Sequence, residues 1–293
     1  FEKDLQWDQA LEMVDRLGEA ARARGRTFAV KLTNTLVVRN HRPFFPAGEE
    51  VMYLSGQPLH VLTLHLLERF RQQRPELPIS FSAGVDSRNF PDCAALGLVP
   101  ITVCSDLLRP GGYGRLPRYL ARLEERMREL EVKRMGDYVL KAEGRGKEAV
   151  SAVVGSDPLA GALESALGAE SVDLRGILEG EGRADLYPRL VQEAARLNTA
   201  PIVERATADP RYGAGANRKT PKKLGSHLSL FDCVNCDKCL PACPNDANFV
   251  YETEPLSGDV ESYRVTGGRA VADPGGRFEV RERHQIAVFQ DFC

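Results

Sequence analysis

The sequence is poor in aromatic residues, which make up 7% of it, with a single tryptophan, Trp7. It also lacks any charge imbalance. Lys and Arg number 39 against 41 Asp and Glu, a formal net charge of −2. That leaves no general electrostatic case for a nucleic-acid or anionic-membrane partner. No apolar run approaches the ~18 residues that a membrane-spanning helix needs, and no basic leader precedes an apolar stretch. The expected compartment is therefore cytoplasmic. There is no P-loop and no Ser/His/Asp constellation. Gly111-Gly112-Tyr113-Gly114 is not a dinucleotide fingerprint, because no G-x-G-x-x-G follows a strand. Before residue 233 the only cysteines are Cys93 and Cys104, each single and apolar-flanked, for which a buried thiol is the default. Such uneven usage excludes a stapled secreted scaffold.

What remains is an ordinary globular composition, 43% apolar and 27% charged in 293 residues, enough for about two domains at ~150 residues each. The chain opens on Phe1 without a methionine and closes on Cys293, and both ends read as cuts through a longer protein.

Periodicity organises the first half. Residues 3–24 carry Trp7, Leu11, Val14, Leu17 and Ala21 at helical spacing, and Gly25 ends that helix. Apolar runs at 27–33, 77–84 and 98–105 predict strands. Residues 59–73, 87–97 and 115–134 predict helices, with loops at 40–50 and 109–114. Strands separated by helices imply parallel βα units. Residues 136–200 read as mostly helical, with no strand signal. Residues 205–226 are rich in Gly, Pro, Ala and charge and read as a linker. Its basic run, Arg218, Lys219, Lys222 and Lys223, reads as solvated rather than as a surface for an acidic partner. His60 and His65 read as helix-face or core residues, and Asp86 as a turn cap or a ligand-orienting group.

The densest chemical signal lies at 231–246, FDCVNCDKCLPACPND. Cys233, Cys236, Cys239 and Cys243, followed by Pro244, give C-x2-C-x2-C-x3-C-P. Thiolates at this spacing hold a cubane iron–sulfur cluster. Three cysteines two residues apart wrap one cluster, while the fourth leaves the loop and reaches another. Zinc prefers two C-x2-C pairs held well apart, which this series is not. The run IAVFQDFC ending at Cys293 echoes LSLFDC at 228–233, so Cys293 reads as the first ligand of a second series. Cys233, Cys236 and Cys239 then hold one 4Fe-4S cluster, and Cys243 and Cys293 serve a second in the intact protein.

Residues 28–113 resemble the second half of the FMN-binding barrel of dihydroorotate and dihydropyrimidine dehydrogenases. VKLT at 30–33 is similar to the strand whose lysine faces the flavin pyrimidine ring, which implies that role for Lys31. SGQPL at 55–59 is similar to the turn where Ser55, Gly56 and backbone amides approach the FMN phosphate. SAGVDS at 82–87 is similar to the family's glycine-pair loop, with Ala83 and Gly84 in its place. VCS at 103–105, with Cys104 and Ser105, resembles the end of the last strand. Two departures stand out. Asn34-Thr35 follow Lys31 directly, without the family's intervening strand, and the family's catalytic base would precede Phe1. SGQPL, RPGGY, NRKTPKK and CPNDANF resemble still more the selenate-reductase-type iron–sulfur flavoproteins of bacteria.

The resemblance implies an α/β fold: a partial TIM-type (β/α) barrel over 1–135, a helical segment and linker over 136–226, and a truncated α+β ferredoxin-like 4Fe-4S domain over 227–293. It implies an oxidoreductase passing electrons between 4Fe-4S clusters and a flavin, FMN, with other redox domains or subunits (an FAD/NAD(P)H module) as partners. The alternative is an electron-transfer or scaffold subunit whose degenerate barrel holds no flavin. No site is expected for nucleic acid or membrane.

Overall fold

The computed structural model describes residues 4–40, 50–109, 111–169, 172–218, 237–243, 247–273 and 275–288. The chain divides into two compact units, Phe1–Thr220 and Pro221–Cys293.

In the first unit, α1 (Trp7–Arg22) is amphipathic and lays Trp7 against Phe70, with ring centroids 4.8 Å apart. Strand β1 (Val30–Leu32) follows. Next come β2 (Leu36–Arg39) and β3 (Val51–Leu54), which pair with each other antiparallel. Helix α2 (Gln57–Gln73) then crosses to β4 (Ile79–Phe81), which runs parallel to β1 with Lys31 opposite Ser80 and Leu32 opposite Phe81. After α3 (Phe90–Ala95) the chain returns along β4 and bridges Ile101 to Phe81 in parallel. This is the repeated strand–helix–strand crossover of a parallel barrel. The 98–105 run contributes that bridge rather than a full strand among the described residues. The hairpin β2–β3, an apolar pair of runs that the sequence reading did not take as strands, flanks the loop expected at 40–50, of which residues 41–49 lie outside the described residues.

Helix α4 (Pro117–Glu129) buries Tyr119 and Leu123. Six further helices follow: α5 (Met135–Lys141), α6 (Gly146–Val154), α7 (Leu159–Leu167), α8 (Leu174–Gly180), α9 (Leu186–Leu197) and α10 (Thr199–Ala208). Leu140, Leu163, Leu174, Leu178 and Leu190, all essentially inaccessible to solvent, share one buried cluster with Phe81, Leu64 and Leu67. The helical stretch therefore packs into the same core as the strands. Arg71 of α2 fastens the two. Its guanidinium donates to the carbonyls of Ala195 (2.5 Å) and Leu96 and to the Thr199 hydroxyl (2.7 Å). Burial lowers its pKa to about 10, so the group keeps its charge at neutral pH. The expected linker is not free from residue 205. After α10 the chain forms a 3-10 turn at Pro210–Tyr212 and α11 (Ala214–Asn217), and Tyr212 is buried.

In the second unit, α12 (Cys239–Ala242) precedes one long two-stranded ribbon. Its strands are β5 (Asn248–Glu252), β6 (Leu256–Asp259), β7 (Ser262–Thr266), β8 (Arg269–Asp273), β9 (Arg277–Val280) and β10 (His284–Val288). They pair β5 with β10, β6 with β9 and β7 with β8, all antiparallel. The register is continuous but for one shift. Asn248 faces Val288 and Asp259 faces Arg277, each pair summing to 536, whereas Ser262 facing Asp273 sums to 535. One extra residue thus sits beside Gly275, where a Cβ would overlap the Val260 carbonyl. Gly267 and Gly268, with φ of +60° and +77°, close the tip in a two-residue turn that such positive values favour.

Candidate cofactor site

The loops singled out in the sequence converge at the carboxyl ends of the parallel strands. In this fold type, ligands bind at that face. Gly56, at φ +73°, is the N-cap of α2, whose first turn carries no side-chain cap and no acidic residue. A Cβ on Gly56 would meet only the Ser105 Cβ, at 4.0 Å, so the position opens onto space. Gly84, at φ +54°, is different. A Cβ there would overlap the Gly56 carbonyl, so its smallness serves loop-to-loop contact first. Ser55 is exposed and Ala83 is buried. Cys104 is exposed, not buried as its apolar flanks suggest, whereas Cys93 is fully buried. Beside Ser105, Asp106 accepts from Arg115 (Nη2 at 2.8 Å, Nε at 3.0 Å) and from the Tyr119 hydroxyl at 2.7 Å. That network holds the last loop in place.

Lys31 stands apart from these loops, on the sheet. Leu32 and Phe81 are buried, and Phe81 meets His60 of α2 edge-on at 5.5 Å. Successive strand residues face opposite sides, so Lys31 and its register partner Ser80 lie on the face away from α2. Lys31 is exposed there, while Ser80 donates its hydroxyl to the Pro100 carbonyl at 2.9 Å.

The loop at 83–89 is fixed by Asp86 and His60 together with three residues that sequence reasoning left out, Asn89, Arg211 and Tyr212. The Asp86 carboxylate accepts the backbone N–H groups of Arg88 (2.9 Å) and Asn89 (3.1 Å), which is a turn cap. It also accepts from Gln57 Nε2 at 2.7 Å and from Arg211 Nη1 at 3.0 Å. Asn89 returns its side-chain oxygen to the Asp86 N–H at 2.8 Å and donates to the Gly84 carbonyl and the Tyr212 hydroxyl. His60 Nδ1 hydrogen-bonds the Ala83 carbonyl at 2.8 Å, and the ring stacks on Tyr212 at 5.1 Å. Burial lowers the His60 pKa to about 4, so the imidazole is neutral and donates that bond. Burial also pushes the Tyr212 hydroxyl up to about 12. The usable sequence signals were a tyrosine stranded in a Gly/Pro-rich stretch and an asparagine three residues after an aspartate.

A flavin phosphate fits this rim on two observations: the uncapped first turn of α2 and the space that a Cβ at Gly56 would enter. For the metal site, Cys233, Cys236 and Cys293 lie outside the described residues. Of the other two, Cys239 begins α12 and is exposed. Cys243 is the C-cap of α12, and its Sγ accepts the Ala247 N–H at 3.2 Å. An amide donating to sulfur suits a thiolate ligand. Asn248 Nδ2 donates to the Cys239 carbonyl at 2.9 Å, tying the cysteine turn to β5. Among the described residues no three metal-ligating side chains come together.

A parallel α/β barrel segment with a small-residue rim defines the class. Residues 1–149 match the family described as "Oxidoreductase YgfK, N-terminal TIM-barrel domain", about half of the chain, and the chain belongs to that family. Two curated relatives, "Putative oxidoreductase YgfK" of Escherichia coli K12 and of Escherichia coli O157:H7, are each 42% identical over 125 residues. The match covers 42% of this chain and 12% of the relatives' length, so the chain spans about an eighth of them. No solved structure matches. Among the described residues no helix is long and apolar enough to cross a membrane.

Proposed function

We propose that this chain is part of an iron–sulfur flavoprotein oxidoreductase, with an FMN site on the barrel rim and 4Fe-4S ligands in the second unit. The observation that carries the reading is the cysteine series 233–243 in a chain of an oxidoreductase family. Bound flavin supplies the exchange between hydride and single electrons, and bound clusters supply the single-electron path. The chain's own residues have separate tasks. Backbone amides around Gly56 and Gly84 would hold the phosphate. The Lys31 ammonium on the face away from α2 would stabilise negative charge at the ring's pyrimidine edge. Cys233, Cys236 and Cys239 would hold one cluster, with Cys243 and Cys293 directed to the second.

The ribbon register supports pairing those last two cysteines. Cys243 precedes Asn248 by five residues and Cys293 follows Val288 by five, so the two lie equally far along the chain from the β5–β10 base pair. An FAD/NAD(P)H module elsewhere in the protein would complete the electron path, as the resemblance to dihydropyrimidine dehydrogenase and selenate-reductase-type proteins implies.

A second reading, an electron-transfer subunit whose barrel holds no flavin, is favoured by one observation. The two rim loops already close on each other, so that even a methyl group at Gly84 would overlap the Gly56 carbonyl. Cofactor release from anaerobically purified full-length protein separates the two. Stoichiometric FMN with iron and sulfide supports the first reading, iron and sulfide alone support the second, and a colourless zinc protein removes both.

A further inference from the structure

The helices after residue 135 end in a short segment that returns to the rim. Asp209 starts it by accepting the Arg211 N–H at 2.9 Å, and Asn217 closes it by donating to the carbonyls of Arg211 and Gly213 at 2.9 Å each. Two adjacent side chains project from it onto the 83–89 loop. Arg211 Nη1 reaches both oxygens of Asp86, at 3.0 and 3.3 Å, and its guanidinium lies over the Tyr212 ring at 4.4 Å. The Tyr212 hydroxyl accepts from Asn89 Nδ2 at 3.2 Å and from Arg211 Nη2. Its ring covers His60, which holds the Ala83 carbonyl. Every anchor on the loop side, Ala83, Asp86 and Asn89, is buried.

We propose that Arg211 and Tyr212 form a latch that positions the 83–89 loop, so that the rim is ordered by a segment outside the matched barrel region. A charge-assisted pair and a buried aromatic contact hold the loop from one side, while Gln57 and the backbone cap hold it from the other. The latch is a positioning device and touches no reacting atom. A phosphate-bearing ligand then meets a preordered loop and spends less of its binding free energy on ordering it. Only this ligand half rests on the flavin reading above. Tyr212 lies nine residues before Pro221, where the second unit starts.

Two measurements on Arg211→Met test the proposal. The first is amide hydrogen exchange without added ligand, comparing the 83–89 loop with helix α9. The expected result is exchange in the loop faster by roughly tenfold or more, with α9 unchanged. The second is an FMN titration followed by flavin fluorescence, with binding expected to weaken by about tenfold. Unchanged exchange in the loop overturns the latch, whatever FMN does. Faster exchange with no FMN binding even in the natural sequence keeps the latch and removes the flavin reading. Faster exchange with unchanged FMN affinity overturns the positioning role. If Arg211→Met loses α9 protection as well, Asp86→Asn breaks the same contact from the loop side and is read by the same criteria.

Discussion

The two units of this chain are built by opposite means. In the first, Leu140, Leu174, Leu178 and Leu190 have no solvent exposure and stand in one cluster with the strands. In the second, the only apolar side chains buried among the described residues are Ala247 and Val280, while Tyr263 and Val265 at the ribbon tip are 62% and 74% exposed. A two-stranded ribbon is marginal alone in water. The described residues of this unit bury little apolar surface, and small units with little core generally need a staple. The lesson is that the hydrophobic effect organises the described residues of the first unit, whereas on the proposed reading the cysteines would organise the second, and cluster binding would contribute its folding free energy.

The contrast can be broken from the first unit. Leu140→Ala or Leu174→Ala should destabilise it by about 2–5 kcal/mol in denaturant unfolding, the transfer and cavity terms together. The same treatment should leave exchange in the ribbon ladder unchanged. A loss in both units would mean that they fold as one.

The next effect depends on pH. The folded-state pKa of His60, about 4, lies below the usual 6.5. Above pH 6.5 the imidazole is neutral whether folded or unfolded, and its contribution is fully present. As pH falls from 6.5 towards 4 the unfolded state takes up the proton first, so stability is lost, by roughly 3 kcal/mol at most. Melting curves of His60→Gln across that window should therefore be flatter than those of the natural sequence. Equal slopes would contradict the buried neutral imidazole.

Gly84→Ala should cost about 2 kcal/mol, from its φ of +54° and from the Gly56 carbonyl that the new methyl would meet. Gly56→Ala has the strained φ without that overlap and should cost less. The reverse ranking would contradict the loop-to-loop contact. Smallest of all, Val265→Ala at the exposed tip should change stability by less than about 0.5 kcal/mol. A larger change would show that the ribbon face is covered by something in solution.

The legible and illegible parts of the sequence divide along the same line. Strands at 30–32 and 79–81 announced themselves as apolar, β-branched runs, and α1, α2 and α4 by helical period, because their side chains are what folds them. The rim residues Gly56, Gly84 and Ser105 were found through motif resemblance, and they do come together. Arg211, Tyr212 and Asn89 were not found. Their partners lie more than a hundred residues away in sequence for Arg211 and Tyr212, and no local period encodes such contacts. The stretch 205–226 has a linker-like composition, yet Arg211 and Tyr212 dock its described part. The ribbon was also missed, since its apolar residues are spread over both faces and its pairing is a matter of register and two glycines at the tip.

The most direct measurement is of the second unit's dependence on its cysteines. Full-length protein purified anaerobically, natural and with Cys239→Ser, should be compared for iron and sulfide content and for hydrogen exchange in the β5–β10 ladder. The account predicts iron and sulfide in the natural protein, loss of one cluster's share of both in the variant, and a collapse of ladder protection with it, while α9 keeps its own. Natural protein without iron, or a ladder equally protected in both, would contradict it.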